Sequence, residues 1–156
     1  MDADQTKNGF EATLRNNLLQ TLLEEVGAYG YLLQLLNQKQ QYILFNEQDD
    51  LQKLAPVEKI VSGKVIALTN ARKACLKQLF ASMGYPEEKR NLQTLISALP
   101  EREAKQWNHL RQRLKSLFEK SLRIHKQNTI LQNKVFDNVG DWSSTERYEP
   151  RESLYL

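Results

Sequence analysis

The sequence predicts an all-α protein: an elongated up-and-down helical bundle, or antiparallel coiled coil, with three long helices and short connecting helices. Glycine and proline, the residues that most often interrupt helices, number only 6 and 4 among 156 residues. Apolar residues recur at steps of three and four over long stretches, which is the spacing of one helix face. A β-sandwich needs a turn about every 8–12 residues, so the scarcity of turn residues excludes that class.

The first long helix is predicted from Leu14 to about Phe45, after an N-terminal stretch, residues 1–12, that lacks a helical period and is expected to fray. Its heptad positions are occupied by Leu19, Leu22, Val26, Tyr29, Leu33, Leu36, Gln40 and Ile43. Four further side chains widen the apolar face: Leu18, Leu32, Leu35 and Tyr42. We therefore expect this helix to pack against more than one neighbour.

The second long helix is predicted to begin at Pro56, because a proline in the first turn of a helix leaves no intrahelical bond unmade. Polar residues 46–50 end the first helix, and a separate short helical turn at Leu51–Leu54 follows them. The heptad positions of the second helix are Leu54, Val57, Val61, Lys64, Leu68, Ala71 and Cys75. Met83-Gly84-Tyr85-Pro86 predicts its end, and residues 91–99 predict one or two further helical turns.

The third long helix is predicted from Pro100 to about Val139, with Gly140 as its C-cap. Its heptad positions are Trp107, Leu110, Leu114, Leu117, Ser121, Ile124, Asn128, Leu131 and Val135. Trp107, Ser121 and Asn128 are the candidates for setting packing and register. A polar residue in an apolar heptad pattern costs stability and disfavours slipped pairings, so Asn128 is predicted to fix the register. The alternative is that Asn128 simply donates a hydrogen bond to a neighbouring helix.

These elements predict one helical domain over residues 1–139 and a flexible C-terminal tail over residues 140–156. The tail segment is polar with scattered aromatic residues and has no helical or strand period.

The sequence predicts no enzyme activity, no metal site and no cofactor. His109 and His125 have no cysteine or carboxylate at ligand spacing around them, and no glycine-rich phosphate loop is present. Cys75 falls in an apolar heptad pattern, where it is expected to pack as a small apolar side chain. As the single cysteine, it also excludes an internal disulfide.

Charge and hydropathy predict a soluble, cytoplasmic protein that is not stably inserted in a membrane. The longest strongly apolar run, Val65 to Leu68, is far below the ~20 residues of a membrane span, and the N-terminus is acidic. The net charge is only +3. Basic residues do cluster in the third helix, as Arg111, Arg113, Lys115, Lys120, Arg123 and Lys126. They lack interleaved aromatic residues, so we interpret them as a solvated face or as ion-pairing groups and expect no nucleic acid partner. Docking to an acidic protein surface is the alternative.

A surplus of apolar side chains in the C-terminal part predicts a partner-binding site. The candidates lie beside the heptad positions or in the tail: Phe118, Leu122, Ile130, Phe136, Trp142, Tyr148 and Tyr155. Exposed apolar strips flanked by polar residues mark sites for other proteins. Two alternatives remain open: the short helix and the tail fold back over these residues, or the strips join copies of the chain into an oligomeric helical scaffold or adaptor.

The layout resembles the FlgN family of flagellar export chaperones. The resemblance rests on Asp49-Asp50-Leu51-Gln52-Lys53-Leu54 after the first helix, on Lys59 and Arg72 in the second, and on Trp107 and the stretch Leu122–Leu131 in the third. It implies a non-catalytic cytoplasmic chaperone for hook-associated proteins of the hook–filament junction. It further implies that the chaperone holds C-terminal segments of these proteins and delivers them to the cytoplasmic domain of the flagellar type III export gate.

Overall fold

The computed structural model describes residues 2–135, and within that range the chain is helical without strands. The helices are α1 (Asp2–Leu44), α2 (Gln48–Met83), a 3-10 turn (Glu87–Lys89), α3 (Leu92–Ser97) and α4 (Glu101–Val135). Three long helices joined by short ones confirm the predicted all-α bundle. The heptad end at Val139, the C-cap at Gly140 and the tail lie outside the described residues.

Helix α1 is the common neighbour of the other two long helices. It runs antiparallel to α2, since Glu25 pairs with Arg72 and Lys39 pairs with Glu58. It runs parallel to α4, because Tyr29 contacts Phe118 and the later Leu36 contacts Asn128. The predicted wide apolar face is confirmed, since Leu18, Leu32 and Leu35 are all buried in the core that α2, α3 and α4 share with α1.

The ends of the helices follow from local chemistry. Asn46 adopts the left-handed region (φ 56°) in the turn between α1 and α2, and Gly84 (φ 73°) caps the C-terminus of α2. Asn91 caps α3 by accepting a hydrogen bond from the Thr94 N–H at 2.8 Å. These three boundaries lie where the sequence predicts them.

The prediction that residues 1–12 fray is wrong, because α1 begins at Asp2. Residues 3–10 are exposed, so burial does not hold this segment. The helix extends outward from its first buried residue, Leu14, since each further residue adds a hydrogen bond without a new nucleation cost.

The prediction of a separate turn before Pro56 is also wrong, because α2 continues through this proline. The first two turns of α2 are anchored by burial: Leu51 packs with Ile43 of α1, and Leu54 joins the main core. Pro56 itself is exposed, so its ring points away from the packed face. Packing on both sides of the proline offsets the hydrogen bond that it cannot donate.

In each long helix some predicted heptad positions are buried and others are replaced by a neighbouring residue, which in several places is polar or charged. Leu22, Leu36 and Ile43 of α1 and Leu114, Ser121 and Asn128 of α4 are buried as predicted. In α2, Glu58 and Arg72 are buried, whereas the predicted Val57 and Ala71 are exposed. In α4, Phe118 is buried and the predicted Leu117 is only half-buried. At Val57 and Ala71 the prediction is wrong because it favours apolar residues over charged neighbours that have a partner in the fold.

Candidate partner-binding site

Phe118 belongs to the core and not to an exposed strip. Its side chain is 3% exposed, and its ring meets Tyr29 of α1 edge-to-face with centroids 6.1 Å apart. This geometry is the favourable arrangement for two aromatic rings. The prediction that Phe118 lies outside the packed face is therefore wrong.

The other candidates in α4 differ in exposure. Leu122 is half-buried and packs against the main core, whereas Ile130 is 54% exposed. Phe136, Trp142, Tyr148 and Tyr155 lie outside the described residues. Among the predicted candidates that the structure describes, Ile130 is thus the one with a large apolar surface open to a partner.

Further apolar side chains that sequence reasoning only partly found lie toward the same end of the bundle as Ile130. Gln40 of α1 donates a hydrogen bond to Gln127 of α4 at 3.3 Å on the outside of the bundle. Because the two helices run parallel, Leu44 of α1 and Ile130 and Leu131 of α4 all follow this pair toward that end. Leu44 is 53% exposed, and Leu131 is half-buried against Ile43 and Leu51. We call Leu44, Ile130 and Leu131 the α1/α4 edge.

The three register candidates are all buried, but they make different contacts. Trp107 lies in the apolar core, and Ser121 is fully buried. Asn128, 1% exposed, donates a hydrogen bond from Nδ2 to the Leu36 carbonyl of α1 at 2.9 Å. This hydrogen bond to a neighbouring helix is the one that the alternative interpretation of Asn128 predicts. It also holds α4 at one position along α1. Whether Asn128 sets the register stays a prediction.

Ser121 and Asn128 belong to a longer row of buried polar side chains in the C-terminal half of α4. The row, which we call the polar row, is Ser121, His125, Asn128 and Gln132. Ser121 Oγ, Asn128 Oδ1 and Gln132 Nε2 are buried without a hydrogen-bond partner among the described residues. Burial, reinforced by the positive charge of Lys39, lowers the pKa of His125 to about 4, so the imidazole is neutral at pH 7.

Two buried ion pairs join α1 to α2. Arg72 donates to Glu25 from Nε at 2.8 Å and from Nη2 at 3.2 Å, and Thr69 donates to the same carboxylate at 2.9 Å. Lys39 Nζ lies 2.9 and 3.1 Å from the two carboxylate oxygens of Glu58. Charges of this kind persist in a core only when they are paired and hydrogen-bonded.

Sequence reasoning missed the partners of these pairs, although it quoted Arg72 for the family resemblance. A signal was present in the sequence. Glu25 and Lys39 are fourteen positions apart in α1, and their partners Arg72 and Glu58 are also fourteen positions apart in α2. That spacing is two heptads, so each pair repeats the same position on both helices.

No arrangement of the described residues suggests a catalytic or metal site. Residues 2–135 contain no group of three or more His, Cys, Asp or Glu side chains that could hold a metal ion. Cys75 donates a hydrogen bond to the Leu14 carbonyl at 3.2 Å, and burial raises the pKa of its thiol, which disfavours the reactive thiolate. None of the helices in this range is long and apolar enough to cross a membrane.

The basic cluster of α4 is for the most part a solvated face. Arg113, Lys115, Lys120, Arg123 and Lys126 are exposed. Aromatic side chains that would stack on bases do not accompany them, in keeping with the interpretation as solvated charge.

Comparison with known proteins identifies a family. The model of the family described as FlgN protein matches residues 14–140, which span α1 from its first buried residue, all of α2 and α3, and α4. Neither the curated proteins nor the solved structures include one that matches the chain.

Proposed function

The chain belongs to the FlgN family, a family of flagellar export chaperones, and on that premise we propose that it binds hook-associated proteins in the cytoplasm and delivers them to the flagellar type III export gate. The cargo segment in this proposal is the C-terminal region of a hook-associated protein, and the delivery target is the cytoplasmic domain of the gate. The chain acts by binding, without catalysis or a cofactor.

The observation that carries the proposal is the extent of the family match. It covers 14–140 and thus the whole packed bundle, so the resemblance extends beyond a single heptad stretch that any coiled coil could imitate. The structure supports the general role through its chemistry, since its open surface includes apolar side chains that suit another protein chain.

The α1/α4 edge is the part of the cargo site that we propose within the described residues. Leu44 and Ile130 present apolar surface at the end of the bundle from which the chain continues to Phe136. An amphipathic cargo segment could place its apolar anchors against this edge and against Phe136, Trp142, Tyr148 and Tyr155. Leu122 is half-buried against the main core, so only its exposed part could contribute to the proposed site.

The experiment measures binding of the full chain to purified hook-associated proteins, with and without their C-terminal segments. Leu44→Asp and Ile130→Asp should each weaken binding by about ten-fold or more, because a buried charge replaces an apolar anchor. Phe10→Asp is the matched control: Phe10 is 53% exposed, like Leu44, but lies at the opposite end of α1. Equal loss in all three variants, or no binding of any hook-associated protein, would contradict the proposal.

Delivery is tested separately by deleting residues 141–156. If the tail docks at the export gate, the shortened chain should still bind its cargo in solution, whereas secretion of the cargo by flagellated cells should fall. Loss of cargo binding with intact binding to the gate domain would reverse this division of roles.

A further inference from the structure

The C-terminal half of α4 covers apolar surface of α1 with polar side chains. The polar row occupies successive positions of the buried face, and three of its members have buried atoms without a hydrogen-bond partner among the described residues. Opposite this row, Leu36 and Ile43 of α1 are fully buried, and Lys39 between them is buried with its ammonium paired to Glu58 of α2. A polar atom that is removed from water without a new hydrogen bond opposes packing, so this contact is poorly matched.

The N-terminal half of α4 is packed in the ordinary way. Its buried face consists of Trp107, Leu110, Leu114 and Phe118, and Phe118 is held against Tyr29. The change from apolar to polar contact therefore falls between Phe118 and Ser121. Segments with few buried apolar contacts open at lower free energy than the rest of a domain.

We propose that residues 121–135 of α4 are a displaceable cover, and that the face of α1 beneath them, around Leu36 and Ile43, is a docking groove for an amphipathic helix of a partner protein. The occupant is a helix with apolar side chains at the spacing of the polar row, four, three and four residues apart. Such a helix matches Leu36 and Ile43 better than the polar row of α4 does. That this helix belongs to a protein carried for export rests on the proposed function, whereas the opening and the groove do not.

At the start of the cover, Leu122 and Ile124 pack against the main core at its edge. Three contacts hold the remainder and define what a partner must replace: the Asn128–Leu36 hydrogen bond at 2.9 Å, the exposed Gln40–Gln127 hydrogen bond at 3.3 Å and the packing of Leu131 against Ile43. Of these three, only the last is apolar. The buried Lys39–Glu58 pair joins α1 to α2, so both of its partners stay in place when α4 is displaced. Lys39 also lies close enough to His125 of α4 for its charge to act on that imidazole, and this interaction is lost on displacement.

Hydrogen exchange of the free chain tests the opening without any partner. Amides of residues 121–134 should exchange at least 100-fold faster than those of residues 106–118. Equal protection of the two halves would overturn the proposal. Replacing Ser121, Asn128 and Gln132 together by Leu should slow exchange in the C-terminal half, because the groove is then covered by matching side chains.

A synthetic helix tests the groove. The probe is a peptide of residues 114–135 of this chain with Ser121→Leu, His125→Leu, Asn128→Leu and Gln132→Leu. The control peptide carries its four leucines on the exposed face instead, as Glu119→Leu, Arg123→Leu, Lys126→Leu and Asn133→Leu. The probe should bind the full chain at least ten-fold more tightly than the control, and equal binding of both peptides would refute the groove.

A cleavable cross-link shows whether binding needs displacement. In a Cys75→Ala background, Gln40→Cys and Gln127→Cys are joined by a thiol-cleavable bismaleimide, which ties α4 to α1. Probe binding should fall at least ten-fold and return after cleavage, with helix content by circular dichroism unchanged throughout. Undiminished binding of the probe to the cross-linked chain would overturn the proposal. It would also be overturned if the free chain formed a concentration-dependent dimer that the cross-link abolishes, because the occupant of the groove would then be a second copy of this chain.

The outcome for this groove can be separated from that for the proposed function. If the probe binds and hook-associated proteins do not, the groove stands and the chaperone role falls. If those proteins bind the tied and the cleaved chain equally, the chaperone role stands and the groove is not their site.

Discussion

The Glu25–Arg72 pair allows a sharp test of how charge is tolerated inside this bundle. Arg72→Leu removes the donors at 2.8 and 3.2 Å and leaves a carboxylate that is 0% exposed with only the Thr69 hydroxyl, at 2.9 Å, as its described partner. Breaking a buried pair on one side costs about 3–5 kcal/mol of unfolding free energy. Native domains have only about 5–15 kcal/mol in total, so the variant should be severely destabilised.

Replacing both partners should restore most of the loss. In Glu25→Leu combined with Arg72→Leu no charge remains buried, and the two leucines occupy facing heptad positions. Exchange of a buried ion pair for apolar residues is often neutral or stabilising by about 1–4 kcal/mol. The double variant should therefore unfold within about 2 kcal/mol of the natural chain.

Urea unfolding followed by circular dichroism at 222 nm measures these free energies, provided that the slope with urea stays constant among the variants. Lys105→Leu is the control, because the Lys105–Glu101 pair is 79% and 88% exposed and 3.6 Å apart, and its removal should leave the midpoint unchanged. The reasoning is refuted by an Arg72→Leu variant that loses less than about 1 kcal/mol, or by a double variant as unstable as the two single losses added together.

Three further perturbations have predicted outcomes. Folding lowers the pKa of His125 from 6.5 to about 4, so the unfolded chain takes up a proton at a higher pH than the folded chain does. The free energy of unfolding should therefore fall by up to about 3 kcal/mol as the pH drops from 6.5 to 4. His125→Gln should remove this pH dependence in urea titrations, whereas His109→Gln, at an exposed position, should not. Asn128→Leu should raise the melting temperature and broaden the distribution of oligomers, since it adds apolar burial and removes an unpaired oxygen; a less stable variant that stays uniform in sedimentation would contradict this. Pro56→Ala should stabilise the chain by about 1–3 kcal/mol, because the proline is exposed and the helix regains a hydrogen bond. An unchanged midpoint would show that the helix has already relaxed around the proline.

The sequence predicts the helices better than it predicts their inward faces. Helix existence and the boundaries at Asn46 and Gly84 follow from period and turn chemistry, which are local properties of the chain. The inward face depends on which residues find partners across the bundle. Val57 therefore looks more suitable for a core than its neighbour Glu58, until Lys39 is known to lie 2.9 Å from the Glu58 carboxylate.

The candidate site was predictable to a similar degree. Ile130 is exposed as expected, because it lies off the heptad pattern in either phase. Phe118 was assigned outward because Leu117 fitted the expected phase equally well, and one residue of shift exchanges their environments. Leu44 gave no signal of its own, since its place at the same end of the bundle as Ile130 depends on the parallel alignment of α1 and α4.

The opposite polarity of the two buried ion pairs has a consequence for misfolding. A hairpin of α1 and α2 displaced by one heptad would set Glu25 opposite Val65 or Leu79 and leave its charge unpaired in the core. A displacement by two heptads in one direction would bring Glu25 to Glu58, and in the other Lys39 to Arg72. Every slipped hairpin that keeps its apolar residues inside therefore buries either an unpaired charge or two like charges. This electrostatic cost destabilises the incorrect pairings, so a misaligned hairpin dissociates and pairs again more readily than the native one.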